Sequence, residues 1–197
     1  MDYQFMGYHF TGIEVLVVAF VALLIIAIAV AAYVEERKTK TVALRSRFGS
    51  EYPRAVDKHG SARQAEAKLS EREKRVSALN IRDLGITERE RFVTEWHTAQ
   101  ARFLDHPRLA VNEADDLINA LIEARGYPQS GFEQRAADVS VHYPCVMREY
   151  RHAHSIAFRL GQIEASTEEL RIAMIEYRAI FDELLQAKTH IEVRTAA

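Results

Sequence analysis

From Val15 to Val34 the chain carries only Val, Leu, Ile, Ala, Phe and one Tyr, twenty positions without a polar interruption. As a helix this run is about 30 Å long, the thickness of a bilayer's hydrocarbon core. Its Leu, Ile, Val and Phe residues together favour insertion by about 4 to 8 kcal/mol, and no charge within the run opposes them. The pattern therefore predicts one membrane-spanning helix over residues 15–34, preceded by a short segment, residues 1–14.

After the span the pattern changes. Residues 35–60 are polar and basic, and Gly49, Pro53 and Gly60 are expected to divide them into short helical pieces. Ser61 to Leu79 reads as a charged helix in which Ala62, Ala65, Leu69, Val76 and Leu79 keep a 3–4 spacing. Arg72 or Glu73 falls where the next apolar residue belongs, so the stripe suits a partly exposed arm or half of a weak coiled coil.

From Thr87 the helical period is clear. Thr87 and Glu90 have capping-box spacing, and Phe92, Trp96, Ala99 and Phe103 follow on one face. His106-Pro107 separates this helix from one with a broad stripe: Ala110, Ala114, Leu117, Ile118, Leu121 and Ile122. Gly126 and Pro128 stop it. A shorter helix is predicted over 132–141, and another from Pro144 to Gly161 with Val146, Tyr150, Ala153, Ala157 and Leu160 on one side. Ser166 and Glu169 cap a last helix carrying Leu170, Ala173, Met174, Tyr177, Ile180, Phe181 and Leu184. No segment alternates at period two. The expected fold is all-α: one N-terminal transmembrane helix, a helical bundle over 61–185, and a polar, frayed tail over 186–197.

Charge orients this plan. Residues 1–14 contain no Lys or Arg, whereas Arg37, Lys38, Lys40, Arg45 and Arg47 crowd the other end of the span. Basic residues near a span are retained on the cytoplasmic side, which predicts a single-pass protein of the inner membrane with its N-terminus outside and its C-terminal domain in the cytoplasm. The same five residues are attracted to anionic lipid by about 1 kcal/mol each and would lay their stretch flat on the bilayer. Tyr3, Phe5, Tyr8 and Phe10 suit the opposite interface, with Tyr33 as a partner at the inner one. A cleaved signal peptide exporting the domain is the alternative. Ala27-Ile28-Ala29 and Ala29-Val30-Ala31 have the small-x-small form, but the apolar run is too long and its leading segment lacks positive charge.

The chain has 26 basic and 28 acidic residues, and Asp2 and Glu14 are the only charges of the outer segment, so the remainder is balanced. A balanced domain lacks the basic field of a nucleic-acid binder. The single cysteine, Cys145, permits no internal disulfide and reads as a small buried thiol. Glycine-rich phosphate loops, nucleophile elbows and zinc-type cysteine pairs are all missing, and no cofactor is implied. Glu149 and His152 share a helical face at the Glu-x-x-His spacing of di-metal bundles, but a second such pair is lacking, so no metal site is assigned. Asp138 and His142, four apart, are expected to contact each other locally.

Ala124-Arg125-Gly126-Tyr127-Pro128, Phe132-Glu133-Gln134-Arg135-Ala136-Ala137-Asp138, Glu149-Tyr150-Arg151 with His154, and Ala165-Ser166-Thr167-Glu168-Glu169-Leu170 carry a resemblance. Over most of residues 41–185 the chain resembles an uncharacterised family of bacterial proteins, often placed behind a membrane segment. The resemblance supplies kinship and no chemistry. It directs attention to the polar run around Phe132 to Asp138, and the candidate polar site is Glu133, Arg135, Asp138, His142, Glu149 and His152. The expected function is a membrane-anchored interaction or tethering module, with the lipid bilayer and a protein as partners. A membrane-anchored helical enzyme or metal-binding bundle is the alternative.

Overall fold

A computed structural model describes residues 3–5, 8–10, 12–160 and 165–186. The expected frayed tail, past Gln186, lies outside the described residues, as do the side chains of Tyr3, Phe5, Tyr8 and Phe10. The described chain is all-α apart from one two-stranded ribbon near the N-terminus. There β1 (Tyr3–Phe5) pairs antiparallel with β2 (Tyr8–Phe10). Three-residue strands are too short for a period of two to register in the sequence.

Helix α1 runs unbroken from Gly12 to Phe48, 37 residues or about 55 Å. It is long and apolar enough to cross a membrane: the segment Val15–Phe48 has a mean hydropathy of 3.3 in its most apolar stretch, none of which is buried in the fold. Residues 35–48 continue α1 rather than forming a separate short piece or a basic stretch lying flat apart from the span, whereas Gly49 and Gly60 do bound a short helix, Glu51–His59, which Pro53 in its first turn does not break. No Gly or Pro lies between residue 34 and Gly49, and ladders one turn long support the helix: Arg37 donates to the Tyr33 hydroxyl at 2.7 Å, and Lys40 to Glu36 at 2.6 Å. Gly49, at φ +47°, ends it.

The chain divides into two compact units, Met1–Arg45 and Ser46–Ala197. The second contains α2 (Glu51–His59), α3 (Ala62–Ser77), α4 (Ile86–Arg102), α5 (Pro107–Ala124), α6 (Phe132–Val139), a 3₁₀ turn (Pro144–Val146), α7 (Met147–Arg159) and α8 (Thr167–Gln186). Helix α5 packs on α4, α7 and α8, and α7 lies along α8. Helices α2 and α3 form a pair, and α3 packs on α6.

Most boundaries follow from local chemistry. Ser61 accepts from the Gln64 amide at 3.3 Å and starts α3. Pro107 occupies the first turn of α5, where its missing N–H removes no helical bond. Ser166 and Glu169 cap α8 reciprocally, the Ser166 amide donating to Glu169 at 2.8 Å and the Glu169 amide to the Ser166 hydroxyl at 3.2 Å. Helix α4 departs from expectation. It begins at Ile86 with its N-cap at Gly85, two residues before Thr87: the Gly85 amide donates to Glu88 Oε2 at 2.9 Å, and Glu88 is also held by Arg82.

The core gathers the predicted stripes of α4, α5 and α8. All six α5 positions are buried, joined by Val111, and all seven of α8, joined by Leu185. Trp96 stacks on Phe181 with ring centroids 4.8 Å apart, fixing α4 against α8. On α7 the buried face is Met147, Tyr150, Ala153, Ile156 and Leu160; Val146 and Ala157 are only half-buried because the 3₁₀ turn shifts the register of the helix that follows. Cys145 lies in that turn and is exposed, which corrects the expectation of a buried thiol.

Gly126 ends α5 at φ +96°, its amide bonded to the Glu123 carbonyl and that of Tyr127 to Ile122. A Cβ there would lie 2.3 Å from the Asn80 carbonyl oxygen, so the α3–α4 connection packs directly on this turn. That connection is held by Arg82, whose amide donates to the Arg125 carbonyl at 2.9 Å.

Candidate functional site

Helix α3 is not a free arm. Its buried face is Ala65, Leu69 and Val76, and the break in that stripe, Arg72, faces a buried acid. The acid is Glu51 in the first turn of α2, only 4 % exposed. Arg151 of α7 clasps it through Nε at 3.0 Å and Nη2 at 3.2 Å, and Arg72 stands 3.5 Å from its Oε2. Two guanidiniums around one carboxylate satisfy the charge that burial would otherwise penalise by several kcal/mol. Arg72 also donates to Ser140 Oγ at 2.8 Å. Burial, and the like charges of Arg151 and Arg75, lower the Arg72 pKa against the opposing pull of Glu51, yet a guanidinium remains cationic.

One turn further along α3, Arg75 donates through Nε at 3.0 Å to Asp138, which is 1 % exposed. Gln134 donates to the same carboxylate at 3.0 Å. Helix α3 is thus docked on α2 and α6 by two arginines at i, i+3 spacing, one for each buried acid.

Above Glu51 the same elements open a cleft of about 900 Å³. Arg54, Asp57 and Lys58 line it from α2, Glu133 from the start of α6, and Arg148 and Arg151 from α7. Glu133 accepts from Arg151 Nη1 at 3.2 Å and Arg54 Nη2 at 3.4 Å. Desolvation would raise its carboxyl pKa, but the charges of Arg151, Arg54 and Lys58 prevail and hold it below the ordinary carboxylate range.

A second polar network lies between α5, α7 and α8. Asp115 accepts from His154 Nδ1 at 2.9 Å and from the Tyr177 hydroxyl at 2.7 Å. Burial pushes its carboxyl up, and these two donors overcome that and bring it below the ordinary value. The His154 ring stacks on Phe132 at 3.6 Å, and Phe132 meets the Tyr150 ring edge-on. Tyr150 donates to Asn119 and accepts from Arg135 Nε, both at 3.3 Å; burial pushes its hydroxyl up to about 12. Phe132 therefore connects this network to the charged cleft, since Arg151 also lies over its face at 5.9 Å.

The six candidate polar residues do not form one site. Glu133 lines the cleft, whereas Asp138 is buried outside its lining and held by Arg75. Arg135 turns to Tyr150 and to the Ser130 carbonyl at 3.0 Å. His142 bonds the Tyr127 hydroxyl at 2.7 Å rather than Asp138, because Asp138 is already held by α3; burial, with the charges of Arg47 and Arg125, lowers its pKa. Glu149 accepts from Arg148, whereas His152 bonds Glu176 of α8 at 2.8 Å. Among the described residues no three His, Cys, Asp or Glu side chains converge as a metal site. Of the five basic residues, Arg37, Lys38, Lys40 and Arg45 lie on α1 in the first unit, while Arg47 in the second pairs with Glu73 at 3.0 Å.

Glu51, Arg54, Arg72, Arg75, Asp115 and Tyr177 escaped the sequence reading as site residues. Only Arg72 left a signal there, as the gap in the α3 stripe. No family model, curated protein or solved structure matches the chain.

Proposed function

We propose that the protein is a single-pass membrane protein in which α1 is the anchor and the helical domain is an interaction module on the cytoplasmic side. The observation that carries this reading is α1 itself: from Val15 to Val34 it is apolar on every face, and the fold covers none of its apolar stretch. A hydrocarbon environment removes that surface from water, at about 25 cal/mol per Å² of apolar area. The orientation rests on Arg37, Lys38, Lys40, Arg45 and Arg47 following the run and on the absence of Lys and Arg before it. The interaction role is supported by the cleft of Arg54, Lys58, Arg148 and Arg151, whose fixed charges suit recognition of a charged partner.

Fusions to the C-terminus test the arrangement. A fluorescent-protein fusion is expected to be bright and an alkaline-phosphatase fusion inactive, and the chain is expected to stay in the membrane pellet after alkaline carbonate extraction. An active phosphatase fusion refutes the orientation, and release of the chain by carbonate refutes the anchor.

A further inference from the structure

Of the three acids lining the charged cleft, Glu51 and Glu133 are of different kinds. Glu51 is buried and doubly engaged by Arg151 and Arg72. Glu133 is 57 % exposed, and its contacts with Arg54 and Arg151, at 3.4 and 3.2 Å, are long for charge-assisted hydrogen bonds. An exposed pair of this kind contributes little, so turning Glu133 out to water costs little. Of its two partners, Arg151 does not depend on it. Arg151 is only 12 % exposed and is fixed by its two-pronged contact with Glu51, which leaves Nη1 aimed at the place Glu133 now fills.

With Glu133 turned away, the cleft presents Arg54, Lys58, Arg148 and Arg151 against Asp57 and the already engaged Glu51. We infer that Glu133 is an internal occupant of a carboxylate-binding site, and that this cleft takes an acidic segment of a partner protein whose carboxylate replaces it. Three features favour a peptide carboxylate over a phosphate. The present occupant is a carboxylate lying between two guanidiniums. The walls hold Asp57 and Glu51, which oppose a doubly charged group. A cleft of about 900 Å³ also accommodates a side chain with its flanking backbone. The inference names the partner chemistry of the proposed interaction module and rests on that reading for the partner being a protein.

The test uses the full chain in nanodiscs of uncharged phosphatidylcholine, with a fluorescein-labelled octapeptide of alternating Glu and Gly as the probe, read by anisotropy. The peptide is expected to bind, and more weakly as salt rises. Glu133→Gln is expected to tighten binding about two- to fivefold, the worth of an exposed ion pair in competition. Arg54→Glu with Lys58→Glu is expected to weaken it about tenfold or more while Trp96 emission stays that of the folded protein. Unchanged or weaker binding in Glu133→Gln overturns the inference, as does binding indifferent to the double charge reversal, or no binding to either wild type or Glu133→Gln. Displacement of the peptide by inorganic phosphate, or by phosphatidylglycerol vesicles, at lower concentration than by unlabelled peptide overturns it in favour of a phosphate group. The fusion reporters are independent of these measurements, so a peptide that fails to bind beside a bright fluorescent fusion refutes this inference alone.

Discussion

Removing the Glu51 carboxylate is expected to destabilise the helical unit more than any exposed charge substitution. In Glu51→Ala, Arg151 and Arg72, 12 % and 15 % exposed, keep their positive charges but lose the acid between them. Breaking a buried pair in this way costs about 3–5 kcal/mol, because the remaining charge is left desolvated. Glu133 and Ser140 retain one contact each with the stranded arginines, which places the expected loss near the lower value, about 3 kcal/mol. For a unit of this size each kcal/mol lowers the melting temperature by about 2–4 °C, so the shift is about 6–12 °C. The chain's single tryptophan, Trp96, is buried against Phe181 in the same unit, and its emission during thermal unfolding in detergent micelles reports the transition. A companion variant isolates the cause. Glu51→Leu, Arg72→Met and Arg151→Met together replace the three charges by apolar groups of similar volume and are expected to melt within about 1 kcal/mol of wild type. The reasoning fails if Glu51→Ala melts within about 2 °C of wild type, or if the triple variant is as unstable as the single one.

Two glycines with positive φ separate backbone strain from collision. Gly60→Ala, at φ +76° with open space around it, is expected to cost about 1 kcal/mol. Gly126→Ala adds a Cβ 2.3 Å from the Asn80 carbonyl oxygen and is expected to cost about 3 kcal/mol or more; equal melting temperatures for the two variants would refute the packing of the α3–α4 connection on this turn. Glu88 titrates at about 2 when folded, against an ordinary 4.5, chiefly through its hydrogen bonds from Arg82 and then from the Gly85 amide. Since the folded value is the lower one, the cap on α4 is complete above pH 4.5 and is lost as pH falls towards 2. The Gly85 amide resonance is expected to titrate with a midpoint near the lower end of that window, and a midpoint at the ordinary carboxylate value would refute the cap.

Much of the fold was legible because its determinants are local. The α8 cap needs only Ser166 and Glu169, and the end of α5 needs Gly126 in the left-handed region. The stripes of α4, α5 and α8 follow from a 3.6-residue period that any buried helix face must keep. Where local signals competed, the surroundings decided. Thr87 and Glu90 have the spacing of a cap, but Arg82 fixes Glu88 and moves the start of α4 forward. Cys145 was expected in the interior because free thiols usually are buried, yet its 3₁₀ turn leaves it at the surface.

The candidate site was legible in part for a related reason. Glu133 was singled out from the polar run before Asp138, and both belong to the charged seam, but their partners lie far along the chain. Arg54 is 79 residues from Glu133, and Arg151 is 100 residues from Glu51. In a sequence a charged residue destined for a buried pair has the same pattern as one destined for water. Arg72 shows this: at an apolar position of α3 it reads as a defect in a weak stripe, and it becomes a docking group only once Glu51 is brought opposite.

The sequence by itself determined the long apolar helix, the all-α class and most helix ends, since hydrophobic runs, periodicity and caps act within a few residues of one another. Only the tertiary structure decided which charges are buried, which arginine each acid meets, and that Glu133 rests in a cleft its neighbours hold open. Those pairings come from the packing of α2, α3, α6 and α7, where the cost of burying each charge is offset by a partner from a distant helix.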